Sequence, residues 1–285
     1  MESILGKLAI VTGGGSGMGR ELVRQLAAQG CSVAACDLNA DTLSETRALA
    51  EAGATGNARV SDHVCDVSDE AAVLRFRDAA LAAHGAQSVD LVFANAAIWA
   101  GQSFLTDPRE LWERVFAVDW WGVYHTARAF LPLLIASPEG VLVNTSSVNG
   151  FYATLGPNWP NSAYSTAKFA VKGFTESLIE DLRVNAPHVR VAIVMPNHVA
   201  TDIMVNSVRA LGGDPASEEI VKANAEFRDS ATVTAAQAAA AILGGVKAGT
   251  WRIVIGEDGR SLDEFVRANP ELTYDYTELA RYRAL

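Results

Sequence analysis

The chain has 285 residues, 49% hydrophobic and 20% charged, enough to bury a large core as an ordinary globular protein. Its net charge of −10, from 23 basic against 33 acidic residues, argues against a nucleic-acid or anionic-membrane partner. Cys31, Cys36 and Cys65 lack metal-ligand spacing and suit buried thiols in a reducing compartment; with no basic-then-apolar leader and no apolar run near about 18 residues, a cytoplasmic protein is expected.

The apolar run Lys7–Val11 reads as a strand and leads into Thr12-Gly13-Gly14-Gly15-Ser16-Gly17-Met18-Gly19, which opens a helical pattern from Gly17 to Gln29. Glycines let the backbone turn tightly here and approach a diphosphate closely. The helix N-terminus offers unpaired N–H groups and the positive end of its dipole. Gly13, Ser16, Gly17, Met18 and Gly19 are therefore candidate dinucleotide-binding residues. The next strand-like run, Ser32–Cys36, ends at Asp37, 24 residues after Gly13. A carboxylate there accepts both adenosine ribose hydroxyls of NAD and repels the extra phosphate of NADP. Leu38 follows, no Arg or Lys lies within Gly13–Gly19, and only Arg20 remains to reach over the loop, so NAD is the expected cofactor. The competing role for Asp37 is structural, as a cap on the helix Asn39–Ala52.

A third run, Arg59–Val64, precedes Cys65-Asp66-Val67, where a short carboxylate can take an adenine amino group, and the amphipathic stretch Asp69–His84 follows. Beyond the fourth run, Val89–Phe93, Asn95-Ala96-Ala97 supplies small residues where backbone must pass a flat ligand. Asp107-Pro108-Arg109-Glu110 offers a helix cap, a first-turn proline and a capping-box acid for the helix over Leu111–Leu131. The remaining strand-like runs are Gly140–Asn144, Val189–Val194 and Trp251–Ile255. Thr234-Ala235-Ala236-Gln237 is a second capping box and makes the Ala-rich run after it a helix. Ala200–Ser230 is the least regular stretch, too long for an ordinary connection, and is a candidate substrate lid. Strands alternating with helices predict an α/β, doubly wound Rossmann fold with about seven strands, mainly parallel, and helices on both faces. With no linker, repeat or second alternating block, one domain over residues 1–285 is expected, with an insertion near 200–230 and a tail at 256–285.

Tyr164-Ser165-Thr166-Ala167-Lys168 opens the helical stretch Ala163–Val184. Residues i and i+4 share a face, so the phenol and the ammonium can act on one site. A nearby ammonium favours the phenolate, which predicts a lowered pKa and makes Tyr164 a usable general base. Upstream, Asn144-Thr145-Ser146-Ser147 leaves the fifth strand at the carboxyl edge of the sheet, where open α/β folds place their sites.

In order along nearly the whole chain, TGGGSGMG, Asp37, Asp66, NAA, the serine, YSTAK and Pro196-Asn197-His198-Val199-Ala200-Thr201 resemble the short-chain dehydrogenase/reductase family, in its compact single-domain branch. The resemblance implies that Tyr164 is the acid/base, that Ser147 hydrogen-bonds the reacting oxygen, and that Lys168 holds the nicotinamide ribose and tunes Tyr164. It places Pro196 among the cofactor-binding residues and the Val199 backbone and Thr201 at the carboxamide, and it favours Ser147 over Ser146 because Gly150 follows three residues later. Homotetramers or homodimers built on the helices Leu111–Leu131 and Tyr164–Val184 are usual for such proteins.

Three departures stand out. Asp119, in Val118-Asp119-Trp120-Trp121-Gly122, occupies a position that is commonly asparagine, where it is either a locally paired helix residue or a member of a proton relay behind the lysine. Ser147 lies 17 residues before Tyr164, a longer spacing than usual, and the extra residues fall in the aromatic loop from Phe151 to Asn161. Asn197-His198 follows Pro196 where glycine is normal. Trp99, Asn149, Phe151, Tyr152, Trp159, His198 and Met204, with Ser147, are candidate substrate-binding residues; packing of the loop on its own scaffold is the alternative. The five histidines show no ligand spacing, so no metal is expected. Together these readings predict NAD-dependent hydride transfer to or from a hydrophobic secondary alcohol or ketone. The rivals are an NADP-dependent carbonyl reductase and a non-catalytic dinucleotide-binding sensor or scaffold.

Overall fold

The computed structural model describes every residue except Gly101, Leu155, Pro157, Asn158, Ala284 and Leu285, with the side chains beyond Ala280 left out. Seven strands form one parallel sheet: β1 (Leu8–Thr12), β2 (Ser32–Asp37), β3 (Val60–Val64), β4 (Leu91–Ala94), β5 (Val141–Thr145), β6 (Arg190–Pro196) and β9 (Arg252–Ile255). Their order is β3-β2-β1-β4-β5-β6-β9, every neighbouring pair parallel. The chain first winds outward from β1 to β3, then restarts beside β1 at β4 and winds the other way. Loops leaving β1 and β4 therefore diverge to opposite faces and open a crevice at the carboxyl edge, the switch point where such sheets bind ligands. β5 is buried along its whole length, as a strand covered on both faces must be.

One face is covered by α1 (Gly17–Ala28), α2 (Ala40–Gly53) and α9 (Ala235–Ala248), whose Leu22, Leu26, Leu43, Ile242 and Val246 pack on Val11, Val33 and Val143. The other is covered by α3 (Glu70–His84), α5 (Gly122–Ile135) and α6 (Ser162–Asn185), through Phe76, Phe130, Leu178 and Leu182. Burying each such side chain contributes roughly 1.5–3 kcal/mol. Ala238 and Ala239 are fully buried in α9, so the absence of bulk lets that helix approach closely. All three cysteines are buried and free; the Cys36 and Cys65 thiols hydrogen-bond each other between β2 and the end of β3.

The capping signals separate into one that forms and one that does not. At Thr234, Gln237 N–H donates to the threonine Oγ1 at 3.2 Å and Thr234 N–H donates to Gln237 Oε1 at 2.9 Å. At α4 (Arg109–Phe116), Pro108 holds the N-cap position without a side-chain cap, because the Asp107 carboxylate turns back to accept the Ser103 N–H at 2.9 Å. α4 and α5 are joined by a π-helical turn, Ala117–Trp121, so the predicted helix is continuous but widened and underwound at Asp119.

Two regions are more regular than the sequence predicts. Residues 200–230 contain α7 (Ile203–Ala210) and α8 (Glu218–Asp229), flanked by the paired short strands β7 (Val199–Ala200) and β8 (Val233–Thr234). Gly212, Gly213 and Pro215 interrupt the period between the two helices and mask it. The tail folds as α10 (Glu257–Ala268) and α11 (Tyr276–Arg283), with Leu262, Phe265 and Leu279 buried against Val148, Ile193 and Met195. Replacing Thr234 by Ala removes the reciprocal cap of α9 and should cost about 1 kcal/mol in urea unfolding, with the slope unchanged.

Candidate active site

A cavity of about 470 Å³ opens at the switch point, lined by the glycine loop, Asp37 to Ala40, Cys65 to Val67, Asn95 to Ile98, Thr145, Tyr164, Lys168, Pro196, Thr201 and one side of α7. Gly13 lies at φ +67, and a Cβ there would sit 2.8 Å from the Ala96 Cα, so the loops after β1 and β4 touch backbone to backbone. A Cβ on Gly19 would collide with the Gly13 carbonyl. The first N–H groups of α1 have no intrahelical partner and Ser16 makes no side-chain cap, leaving a helix N-terminus open toward the cavity.

The Asp37 carboxylate stands at the cavity edge, held by N–H donors from Gly15 at 2.9 Å and Asn39 at 3.0 Å. Asn39, not Asp37, caps α2. Arg20 points away, donating to the Gly15 carbonyl and pairing with Glu45 at 2.6 Å. The Asp66 carboxylate is shared with Ser68 and with Arg114, whose Nη2 lies 2.8 Å away. Against burial, which raises it, the bonds from Ser68 and Arg114 hold Asp66 below the usual carboxylate range. Leu38, Val67, Met18, Ala96 and Ala97 line the cavity as well, whereas Val199 is buried in the β7–β8 pair and only Thr201 beyond it reaches the wall. These residues fit a dinucleotide: an open helix N-terminus for the diphosphate and a fixed carboxylate at the ribose end.

At the inner end of that cavity Ser146, Tyr164 and Lys168 form part of the lining, and Ser147 lies beside them, outside it. Ser146 donates to the Lys168 carbonyl at 2.8 Å and is committed to structure. Ser147 lies in extended backbone, accepts the Asn149 N–H at 3.1 Å and hydrogen-bonds the Tyr164 phenol. Tyr164 and Lys168 are both buried on α6, with the ammonium 5.2 Å from the phenol ring centre. Lys168 Nζ donates to the Thr145 carbonyl at 3.3 Å and stands 3.0 Å from Asp119 Oδ2. The other Asp119 oxygen accepts the Ile98 N–H at 2.9 Å. Asp119 therefore pairs across the fold, rather than locally as a helix residue, and the π-helical turn presents it there.

These contacts set the electrostatics. Burial is the largest influence on Lys168 and lowers it, but Asp119 and then Tyr164 outweigh it, so the amine stays above its ordinary value and charged. Burial lifts Asp119 above the usual carboxylate range, opposed by Lys168 and the Ile98 N–H. Burial also raises the Tyr164 phenol; Lys168 lowers it, and Asp119 raises it again. The sequence-based expectation of a lowered phenol is thus corrected. The ammonium acts in the expected direction, but its buried counter-ion and the loss of water prevail.

Of the candidate substrate residues, Trp99 is half-buried against the core, outside the cavity lining, and gives its backbone N–H to Ser207 at 2.7 Å. Phe151 and Tyr152 lie instead in the cluster with Leu262, Phe265 and Leu279, because α10 and α11 cover them. Asn149 spends its amide on the Tyr152 and Thr154 carbonyls, bracing that loop. Trp159 is exposed, and His198 packs at a tilt against the Phe227 ring and hydrogen-bonds the Phe227 carbonyl, away from the cavity lining. Met204 is half-buried and also outside that lining. The cavity instead gains Ile98, Arg114, Val118, Ile203, Asn206 and Arg209, which no local motif marks. Among the described residues, no group of three His, Cys, Asp or Glu side chains is placed to hold a metal ion, and no helix is long and apolar enough to cross a membrane.

A switch-point cavity with a helix N-terminus at one end and a buried Ser-Tyr-Lys set at the other defines a dinucleotide-binding oxidoreductase of the doubly wound class. The short chain dehydrogenase family model matches residues 7–211, and the chain belongs to the short-chain dehydrogenase/reductase family. It is 37% identical over 270 residues to the "Putative oxidoreductase SadH" of Mycobacterium tuberculosis, covering 94% of this chain and 92% of that protein. It is 35% identical over 202 residues to human "Epidermal retinol dehydrogenase 2", 70% of this chain and 62% of the relative. Among solved structures, a short chain dehydrogenase/reductase from Burkholderia phymatum in complex with NAD superposes with a TM-score of 0.83 at 27% identity, covering 97% of this chain and 98% of that one.

Because Asp119 opposes ionisation of the phenol, Asp119→Asn should move the Tyr164 step to lower pH. Phenolate absorbance read against Tyr164→Phe isolates that step, and coincident curves for parent and Asp119→Asn would refute the coupling.

Proposed function

We propose that the protein is an NAD-dependent dehydrogenase/reductase that interconverts a hydrophobic secondary alcohol and its ketone, with Tyr164 as acid/base. The observation that carries this reading is the convergence of Ser147, Tyr164 and Lys168, buried together beside a cavity whose other end carries the glycine loop and Asp37. A nicotinamide dinucleotide supplies the hydride acceptor or donor when bound. In the oxidative direction Tyr164 Oη takes the proton from the substrate hydroxyl, and in reduction it returns the proton to the carbonyl oxygen. Ser147 Oγ, fixed by the Asn149 N–H, hydrogen-bonds the reacting oxygen and stabilises the charge that develops there. Lys168 would hold the ribose hydroxyls of a bound dinucleotide and keeps a positive charge beside the phenol. Asp119 acts through Lys168, fixing its position, and is a positioning residue.

Asp37 supports NAD over NADP: its carboxylate faces the ribose end, and Arg20 is bound to Glu45 rather than free for a 2′-phosphate. Ile98, Val118, Ile203 and Ala210 line the cavity and support an apolar substrate. Exposed Trp121 and Phe169, on the π-helical turn and α6, support the helix-mediated homotetramer or homodimer usual in the family.

Tyr164→Phe should lower kcat/KM for oxidation of a responsive alcohol by about 10³-fold while leaving the Kd for NADH within about twofold, since only the proton-transferring oxygen is lost. An unchanged rate of NADH production would leave a sensor or scaffold as the better reading. In fluorescence titrations the parent should bind NADH at least about tenfold more tightly than NADPH, and the reverse order would favour a carbonyl reductase using NADPH.

A further inference from the structure

α7 crosses the cavity as a strap. Asn206 Nδ2 donates to Ser16 Oγ at 2.9 Å on the loop after β1, and the neighbouring Ser207 Oγ accepts the Trp99 N–H at 2.7 Å from the loop after β4. Two consecutive residues of one helix thus tie together the two lips of the switch-point crevice. One turn on, Arg209 Nη1 donates to Asn206 Oδ1 at 2.8 Å, so its guanidinium stands two hydrogen bonds from Ser16, the N-cap residue of α1.

The charges in the cavity wall are unevenly matched. Lys168 is paired with Asp119 and Arg114 with Asp66. The Asp37 oxygens take the Gly15 and Asn39 N–H groups. Asp202, just before α7, is taken by Arg228 at 2.8 Å and by Asn224. Arg209 alone among the cavity's described cations forms no ion pair, and it shares that cavity with the open N-terminus of α1. A cation beside the positive end of a helix dipole is unfavourable by itself and becomes favourable once an anion lies between the two. Asp37 marks the ribose end with a negative charge, so that anion belongs at Ser16 and not at a ribose phosphate.

We infer that Arg209 is a diphosphate-binding residue: the Asn206–Arg209 side of α7 latches over the dinucleotide, and the guanidinium pairs with the diphosphate opposite the α1 N-terminus. The assignment rests on the dinucleotide reading above. The guanidinium is exposed, so its attraction is partly screened by salt and its contribution is moderate.

Arg209→Gln should raise the Kd for NADH about tenfold in fluorescence titration at low salt, and Arg209→Lys should fall between it and the parent. The same variant should weaken ADP-ribose in parallel, leave adenosine within about twofold, and flatten the salt dependence of NADH binding. Matched melting temperatures for parent and variant exclude loss of fold as the cause. Equal NADH affinity in parent and Arg209→Gln would overturn the latch alone. Loss confined to NADPH would reassign the guanidinium to a ribose phosphate and overturn it too. A parent that binds no dinucleotide would remove both the latch and the reading beneath it.

Discussion

A single buried ammonium organises the working half of this molecule. The Lys168 side chain is about 1% exposed, and an amine so far from water keeps its charge only if the surroundings replace its hydration. Its partners come from three separate places: Asp119 on the turn between α4 and α5, the Thr145 carbonyl at the end of β5, and the Tyr164 ring one turn back on α6. Asp119 is held in turn by the Ile98 N–H from the loop after β4. Satisfying one charge therefore fixes the relative positions of two strand ends and two helices. Those are the elements that form the deep wall of the cavity.

That arrangement carries an electrostatic consequence. Where the lysine's neighbour is a neutral amide, its charge acts undiluted on the phenol; here a carboxylate 3.0 Å away offsets it, and burial favours the neutral phenol further. The site gains a rigid cation and gives up part of its pull on the tyrosine. Ser147 compensates locally by hydrogen-bonding the phenol from the other side. The π-helical turn carries Asp119 at the point where it meets Lys168.

The outer half of the cavity is built on close approach rather than charge. Gly13 lets the loop after β1 rest directly on Ala96, and this contact brings the helix N-terminus and the small residues after β4 to one crevice. The segment that bridges the crevice, α7, is short and attached at its edges by side-chain hydrogen bonds to Ser16 and Trp99.

The glycine loop, Asp37, and the Tyr164–Lys168 spacing were legible in the sequence because each is local: a turn that only glycine makes, the end of a strand, one helical turn. The seven strands and the helical stretches of α1, α3 and α6 were legible for the same reason, since period alone separates strand from helix. Tertiary structure decided what depends on partners distant in the chain. Asp119 meets Lys168 across 49 positions, which no pattern around Asp119 announces. Phe151 and Tyr152 were read as pocket walls, but residues more than a hundred positions later, in α10 and α11, bury them. Arg209 resembles any exposed helical arginine until the fold brings Asn206 to Ser16. Sequence determined the backbone's local preferences and the residue types available for chemistry, whereas only folding decided which buried charges lie close enough to set one another's protonation, because Coulomb energy depends on distance in space and on excluded water.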